Sequence, residues 1–99
     1  MIVRYTRQAI ADLDEARAHI ALDRPRAAEA MAARVREAIE GLRRFPGRGR
    51  TGRVPGTREL VIPPTPFVAP HRIAGREIQV LAVLHGARAW PPEDDGAAP

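Results

Sequence analysis

The chain has 99 residues, 44% of them hydrophobic, with 8 Gly and 10 Pro, which fits one globular domain with a modest core and a loop-rich section. It has no cysteine, and all 16 of its basic residues are arginine, giving a net charge of +4 with neither lysine nor serine present. Disulfide scaffolds, Cys-ligated zinc, cysteine or serine nucleophiles and lysine Schiff bases are thereby excluded.

Ile2–Tyr5 alternates with a period of two and reads as a first strand. Thr6 is a good N-cap for a helix from Arg7 to about Leu22, whose apolar face carries Ile10, Leu13, Ala16 and Ile20. Asp12, Asp14 and Glu15 fall in its first turns, where the helix dipole favours acids. Asp23 can cap a second helix, with Pro25 tolerated in the first turn. Met31, Val35, Ile39, Leu42 and Phe45 form its apolar stripe, and the short connection makes the two helices an antiparallel hairpin. Phe45-Pro46-Gly47 ends that helix, and residues 46–57 read as an exposed loop.

Three strand candidates follow: Arg58–Ile62, Phe67–Ile73 and Glu77–His85. Ala74-Gly75 is a tight turn between the last two. In the third, Ile78, Val80, Ala82 and Leu84 alternate with Gln79, Leu81, Val83 and His85, so it is expected to be central and covered on both faces. Pro70 is a misfit in the second: it removes a ladder donor and implies a bulge, an early stop or an edge position. The fold class is α+β, a two-helix antiparallel hairpin packed on a small, mostly antiparallel sheet in the order β-α-α-β-β-β. Residues 1–91 form the single domain, and 92–99 are expected to be a flexible acidic tail.

Charge is distributed unevenly. Residues 1–40 are neutral, residues 41–58 hold six Arg and no acid, residues 59–90 carry +1, and the tail carries −3 through Glu93, Asp94 and Asp95. The positive field therefore belongs to one segment. Arg48, Arg50 and Arg53 make it an anion-binding loop, suited to phosphates, to acidic residues of a partner, or to solvation alone. The stripe claims Phe45 for the core, which leaves the loop without an aromatic for base stacking. The tail is expected to fold over these arginines when no partner is bound. His19, His71 and His85 are scattered without an acid pair, so no metal site and no cofactor is expected. The longest apolar run is far short of the roughly 18 residues of a membrane span, and the N-terminus lacks a signal-peptide core; a cytoplasmic protein without membrane contact is expected.

Several landmarks recur in a known order: Ala11-Asp12-Leu13, Asp23-Arg24-Pro25-Arg26-Ala27-Ala28, Leu42-Arg43-Arg44-Phe45-Pro46 with Gly49-Arg50, Pro55-Gly56-Thr57-Arg58-Glu59-Leu60-Val61, and Ile78–Leu84 followed by His85-Gly86-Ala87-Arg88-Ala89-Trp90-Pro91. Over residues 2–91 the chain resembles the RelE/ParE superfamily of bacterial toxins from type II toxin–antitoxin modules, with the ending closest to ParE-type toxins. The resemblance implies a toxin neutralised by a cognate antitoxin, ParD-like or similar, in a hetero-oligomer. ParE-type relatives poison DNA gyrase by contact; RelE-type relatives cut mRNA on the ribosome. A degenerate, non-toxic member is a third reading.

A nuclease would need an acid–base pair. The resemblance puts Val68 where RelE-type members carry an Arg, and Trp90 near where they carry a Tyr. The catalytic candidates that remain are His85, Arg88 and Arg50, and guanidinium groups do not readily exchange protons near neutral pH. The balance leans toward a non-enzyme. For target contact the candidates are His85, Arg88 and Trp90, with Trp90 either an exposed anchor or folded over the core. For the antitoxin they are Arg17, Arg24, Arg36 and Arg58, beside a groove between the helical hairpin and the sheet.

Overall fold

The computed structural model describes residues 1–86, 88, 90 and 91. The acidic tail and its expected fold over the arginine loop lie outside the described residues. The elements are β1 (Ile2–Tyr5), α1 (Arg7–Ala21), α2 (Pro25–Glu40), a 3-10 turn (Gly41–Arg43), β2 (Arg50–Thr51), β3 (Arg58–Val61), β4 (Phe67–Ala74), β5 (Glu77–Val80) and β6 (Leu84–His85). Strands run β1-β5-β4-β3-β2 across one sheet, with β6 also on β4. Among the described residues only the β1–β5 pair is parallel. The helical hairpin covers one face, giving the expected α+β architecture. Among the described residues no helix is long and apolar enough to cross a membrane.

The core lies between the hairpin and that face. Val35, Ile39, Leu42, Ile62, Ile78 and Val80 are fully buried. Each such side chain contributes about 1.5–3 kcal/mol relative to an exposed one, so α2, with Val35 and Ile39, anchors the hairpin. The apolar face of α1 carries Leu13, Ala16 and Ile20 as expected and departs only in its first turn, where Ala9 replaces Ile10. Ala9 and Leu13 are buried, with Ala16 and Ile20 packed beside them, while Ile10 is 50% exposed. Of the two expected caps, one holds and one does not. Thr6 caps α1 through its side-chain oxygen, which accepts from the Ala9 amide at 3.1 Å. The first turn of α1 holds no acid, and the N-cap of α2 is Arg24, without a side-chain bond, rather than Asp23.

The expected third strand is two strands, and Pro70 is the reason. β4 passes through Pro70 as an interior strand, so Pro70 marks neither a stop nor an edge. The Leu81 amide donates to the Pro70 carbonyl at 2.8 Å, which turns the Pro70 nitrogen toward Leu81 as well. A proline has no hydrogen to return, so the Leu81 carbonyl takes one from the Thr6 hydroxyl instead, at 3.2 Å. The register then slips. His71 faces Val80 before the break and Val68 faces Leu84 after it, leaving one extra residue among Leu81–Val83. This is a β-bulge on the strand opposite the proline. The Val83 amide, freed from the ladder, donates to the Asp12 carboxylate at 3.0 Å, and Gln8 holds the other oxygen of that carboxylate at 2.7 Å.

A one-residue slip reverses every side chain beyond it. The expected alternation put His85 on the face opposite Ile78 and Val80. The bulge carries His85 to the helix side, edge-on to Phe67 at 6.3 Å between ring centroids.

Thr6 thus serves both the α1 amides and the broken ladder. Thr6→Ala should cost about 1–2 kcal/mol in urea unfolding, the range for a lost N-cap, while Thr6→Ser stays near wild type.

Candidate functional site

The sheet face away from the helices is built from the alternate residues. Leu60 and Ala69 point into the core, so Glu59, Val68 and Pro70 point outward. All three are nonetheless buried. They are covered by the β2 arm on one side and by the segment leaving β6 on the other. Arg50, Arg53, Arg88 and Trp90 close over Glu59, Val68 and Pro70, with Leu84 and Gly86 beside them.

Residues 46–57 are therefore more than an exposed loop, because β2 pairs with β3 inside them. Arg50 stands directly opposite Glu59 in that pairing, and its guanidinium meets the Glu59 carboxylate at 3.2 Å. The second carboxylate oxygen accepts the Arg53 amide at 3.1 Å. Gly49 makes the approach possible. It has φ +109°, and a Cβ there would lie 3.0 Å from the Glu59 carbonyl oxygen. On the other side, the Gly86 amide donates to the Pro66 carbonyl at 2.7 Å, and a Cβ at Gly86 would crowd that carbonyl at 3.3 Å. Arg88 then closes a turn by donating its amide to the His85 carbonyl at 2.9 Å.

The free volume left in this cleft is about 10 Å³. Pockets for small ligands run to several hundred. The cleft is a filled surface, with Trp90 laid half-exposed across it rather than standing free.

A second concavity, of about 360 Å³, lies between α1 and β6. Ala16, Ile20, Phe67 and Val83 form its floor, and Asp12, Glu15, His19, His85 and Arg88 form its rim. Arg88 borders both places.

The proposed site residues divide accordingly. Arg50 and Arg88 share the cleft, but His85 sits in the groove, so the three catalytic candidates do not converge. Arg88 and Trp90 are together in the cleft. Arg53 joins Arg50 there, whereas Arg48 lies over the Phe45 ring at 4.7 Å from its centroid. Arg17 pairs with Asp14 at 3.7 Å and reaches across to Glu29 of α2 at 3.6 Å. Arg24 marks the hairpin turn, and Arg36 is exposed on α2 toward Tyr5 of β1. Arg58 donates to the Gly49 carbonyl at 3.1 Å, toward the opposite sheet edge. None of these four lines the groove.

Three features lay beyond the sequence reading. Glu59 had no assigned role, and only the β2–β3 register makes it the clamp of the basic arm. His71 is fully buried on the helix side; its Nδ1 is 3.0 Å from the Ala69 carbonyl, and its Nε2 has no partner. Alternation places it on the face away from the cleft, though its Cε1 would be 3.4 Å from a Cβ at Gly49. Phe45 leaves the expected stripe. The 3-10 turn after α2 changes the phase, and the Phe45 amide returns to the Gly41 carbonyl at 3.1 Å. The ring is 52% exposed, with the Arg44 guanidinium 5.8 Å and the Arg48 guanidinium 4.7 Å from its centroid. Such contacts contribute about 0.5–1 kcal/mol at exposed sites, less than the ~1.5–3 kcal/mol gained by burying the ring. The basic segment therefore does carry an aromatic.

Tyr5, the one tyrosine, is at the far sheet edge on β1. Burial, and then the Glu40 carboxylate, push its phenol above its usual range, against the opposing effect of Arg36 and Arg43.

The ParE toxin family model, described as the ParE toxin of the type II toxin–antitoxin system parDE, matches residues 3–90. Y4kP of Sinorhizobium fredii is 40% identical over 89 residues, 90% of this chain and 92% of that protein. Toxin RelE2 of Caulobacter vibrioides is 36% identical over 86 residues, 87% of this chain and 96% of its own length. Among solved structures, a chain of the chromosomal ParDE TA system from P. aeruginosa superposes with a TM-score of 0.80 at 35% identity, covering 86% of this chain and 95% of that one.

The Glu59 clamp has a direct test. Glu59→Ala should destabilise the fold by about 1–3 kcal/mol, the range for orphaning buried polar partners, and should speed tryptic cleavage after Arg50 and Arg53. Unchanged cleavage kinetics at these two sites would show that Glu59 does not hold the arm.

Proposed function

The chain belongs to the ParE family of type II toxin–antitoxin toxins, and from that premise we propose that it inhibits DNA gyrase by protein–protein contact and is neutralised by a cognate, ParD-like antitoxin. The closed cleft carries this reading. Its polar groups are three arginines and a glutamate already committed to Arg50 and the Arg53 amide. Guanidinium groups grip anions but do not shuttle protons near neutral pH, and a scissile phosphate has no room between them. A half-exposed Trp beside an Arg is instead the composition of a protein-contact anchor. Arg88 and Trp90 are the proposed contact residues, with His85 at the margin. This favours contact over the mRNA endonuclease alternative, which would require His85, Arg88 and Arg50 to converge.

The antitoxin is proposed to lay an amphipathic segment into the groove between α1 and β6. Its apolar residues would cover Ala16, Ile20, Phe67 and Val83, and its acids would reach Arg88 at the rim. As it wraps the toxin, further acids would meet Arg17 and Arg24 near the hairpin turn, and Arg36 and Arg58 toward the two sheet edges. Cytoplasmic action follows from a gyrase target.

Purified gyrase should lose supercoiling activity in the presence of the chain and retain cleaved DNA, while mRNA on translating ribosomes stays intact. Arg88→Ala or Trp90→Ala should weaken inhibition roughly 30-fold, as for a hot spot of about 2 kcal/mol. Cleavage of mRNA at codons with unimpaired supercoiling would overturn the reading.

A further inference from the structure

We propose that the exposed face formed by Arg44, Phe45 and Arg48 binds a single-stranded nucleic-acid segment, the two guanidinium groups taking phosphates and the ring taking an unstacked base. The surface is separate from the Arg88–Trp90 cleft and does not depend on gyrase being the target.

Among the described residues, the guanidinium groups of Arg44, Arg48, Arg53 and Arg58 in this segment pair with no carboxylate, and of these Arg44 and Arg48 share one exposed ring. Of the six arginines in residues 41–58, Arg43 is held by Glu40 at 2.7 Å, Arg50 by Glu59, and Arg58 donates to the Gly49 carbonyl. Arg53 belongs to the cleft. Arg44 and Arg48 lean on the shared ring at 5.8 Å and 4.7 Å. Arg48 also borders a concavity of about 420 Å³ between the end of α2 and β3, whose charged lining is Arg34, Arg48 and Glu37. A strand following the basic face would continue past this hollow.

The combination selects the ligand class. Arginines that have given up no charge to neighbours attract polyanions and release counterions when phosphates replace them. The exposed ring beneath them adds a stacking surface that any base can use once it displaces a guanidinium from the ring, and that an acidic peptide cannot. A base must be unstacked to reach it, which favours a single strand over an intact duplex. DNA and RNA share this chemistry, so the two are separated by experiment.

The test is fluorescence anisotropy of the full chain with labelled 12-nucleotide single-stranded DNA and RNA, a 12-base-pair duplex, and an acidic peptide of equal charge. Single strands should bind with an affinity that falls with salt, and Arg44→Gln or Arg48→Gln should each flatten the log–log salt slope by about 0.7. Phe45→Ala should weaken binding by roughly 5- to 150-fold at fixed salt. Phe45→Leu, which keeps apolar bulk without a π face, should lose most of the same factor. Arg26→Gln, with the same change in net charge at the other end of α2, should match wild type. Circular dichroism melts identify variants that remain folded; Phe45 and both arginines are exposed. Tighter binding of DNA or of RNA names the source. The proposal is overturned by no single-strand binding at 50 mM salt, by equal binding of the acidic peptide, or by Phe45→Ala and Phe45→Leu binding like wild type.

Discussion

Proline at position 70 has no amide hydrogen to give, and the sheet is arranged around that missing donor. An interior strand normally tolerates no such gap, because a buried carbonyl left without a partner costs as much as a lost hydrogen bond. Here the facing chain bulges, and the first helix fills the vacancy. The Thr6 hydroxyl reaches the Leu81 carbonyl, and the Asp12 carboxylate reaches the Val83 amide. The first helix and the sheet are thus joined by polar bonds at the bulge as well as by apolar packing.

The slip at the bulge decides which face each later residue serves. His85 goes to the helix side, into the groove with α1, while Leu84, Gly86, Arg88 and Trp90 border the outer face. There they meet the β2 arm, drawn in by Glu59. The result is a closed basic surface over Val68 and Pro70. The chain thereby separates two surfaces in space, a groove with an apolar floor and a filled cleft, with Arg88 on the border of both.

Most of the architecture was legible because it rests on local signals. The periodicity of α2, the Thr6 cap, the Pro25 start and the glycine turn after β4 each act over a few residues, and the structure follows them, with the turn itself at Gly75-Arg76 because Ala74 still pairs with Glu77. What was not legible depends on partners distant in sequence. Ile10 and Ala9 are equally plausible on a helical wheel, and only the sheet beneath chooses Ala9. Phe45 continues the apolar spacing of α2, but a 3-10 turn after Glu40 changes the phase. Pro70 was recognisable as a misfit, yet the bulge it causes sits on the opposite strand, so the alternation of Glu77–His85 looked unbroken. Glu59 read as one acid in a strand until its register partner was known to be Arg50. The family ending was legible as a motif, while the cleft it closes was not.

The bulge opposite Pro70, clasped by Asp12, seats Arg88 and Trp90 on the outer sheet face. Trp90 is the single tryptophan of the chain, so its emission reports that seating without a label. In Asp12→Ala, with helix content unchanged by circular dichroism, the emission should shift to the red as Trp90 leaves the cleft, whereas Asp12→Asn, which keeps an acceptor for the Val83 amide, should emit like wild type. A folded Asp12→Ala chain with wild-type emission would contradict the claim.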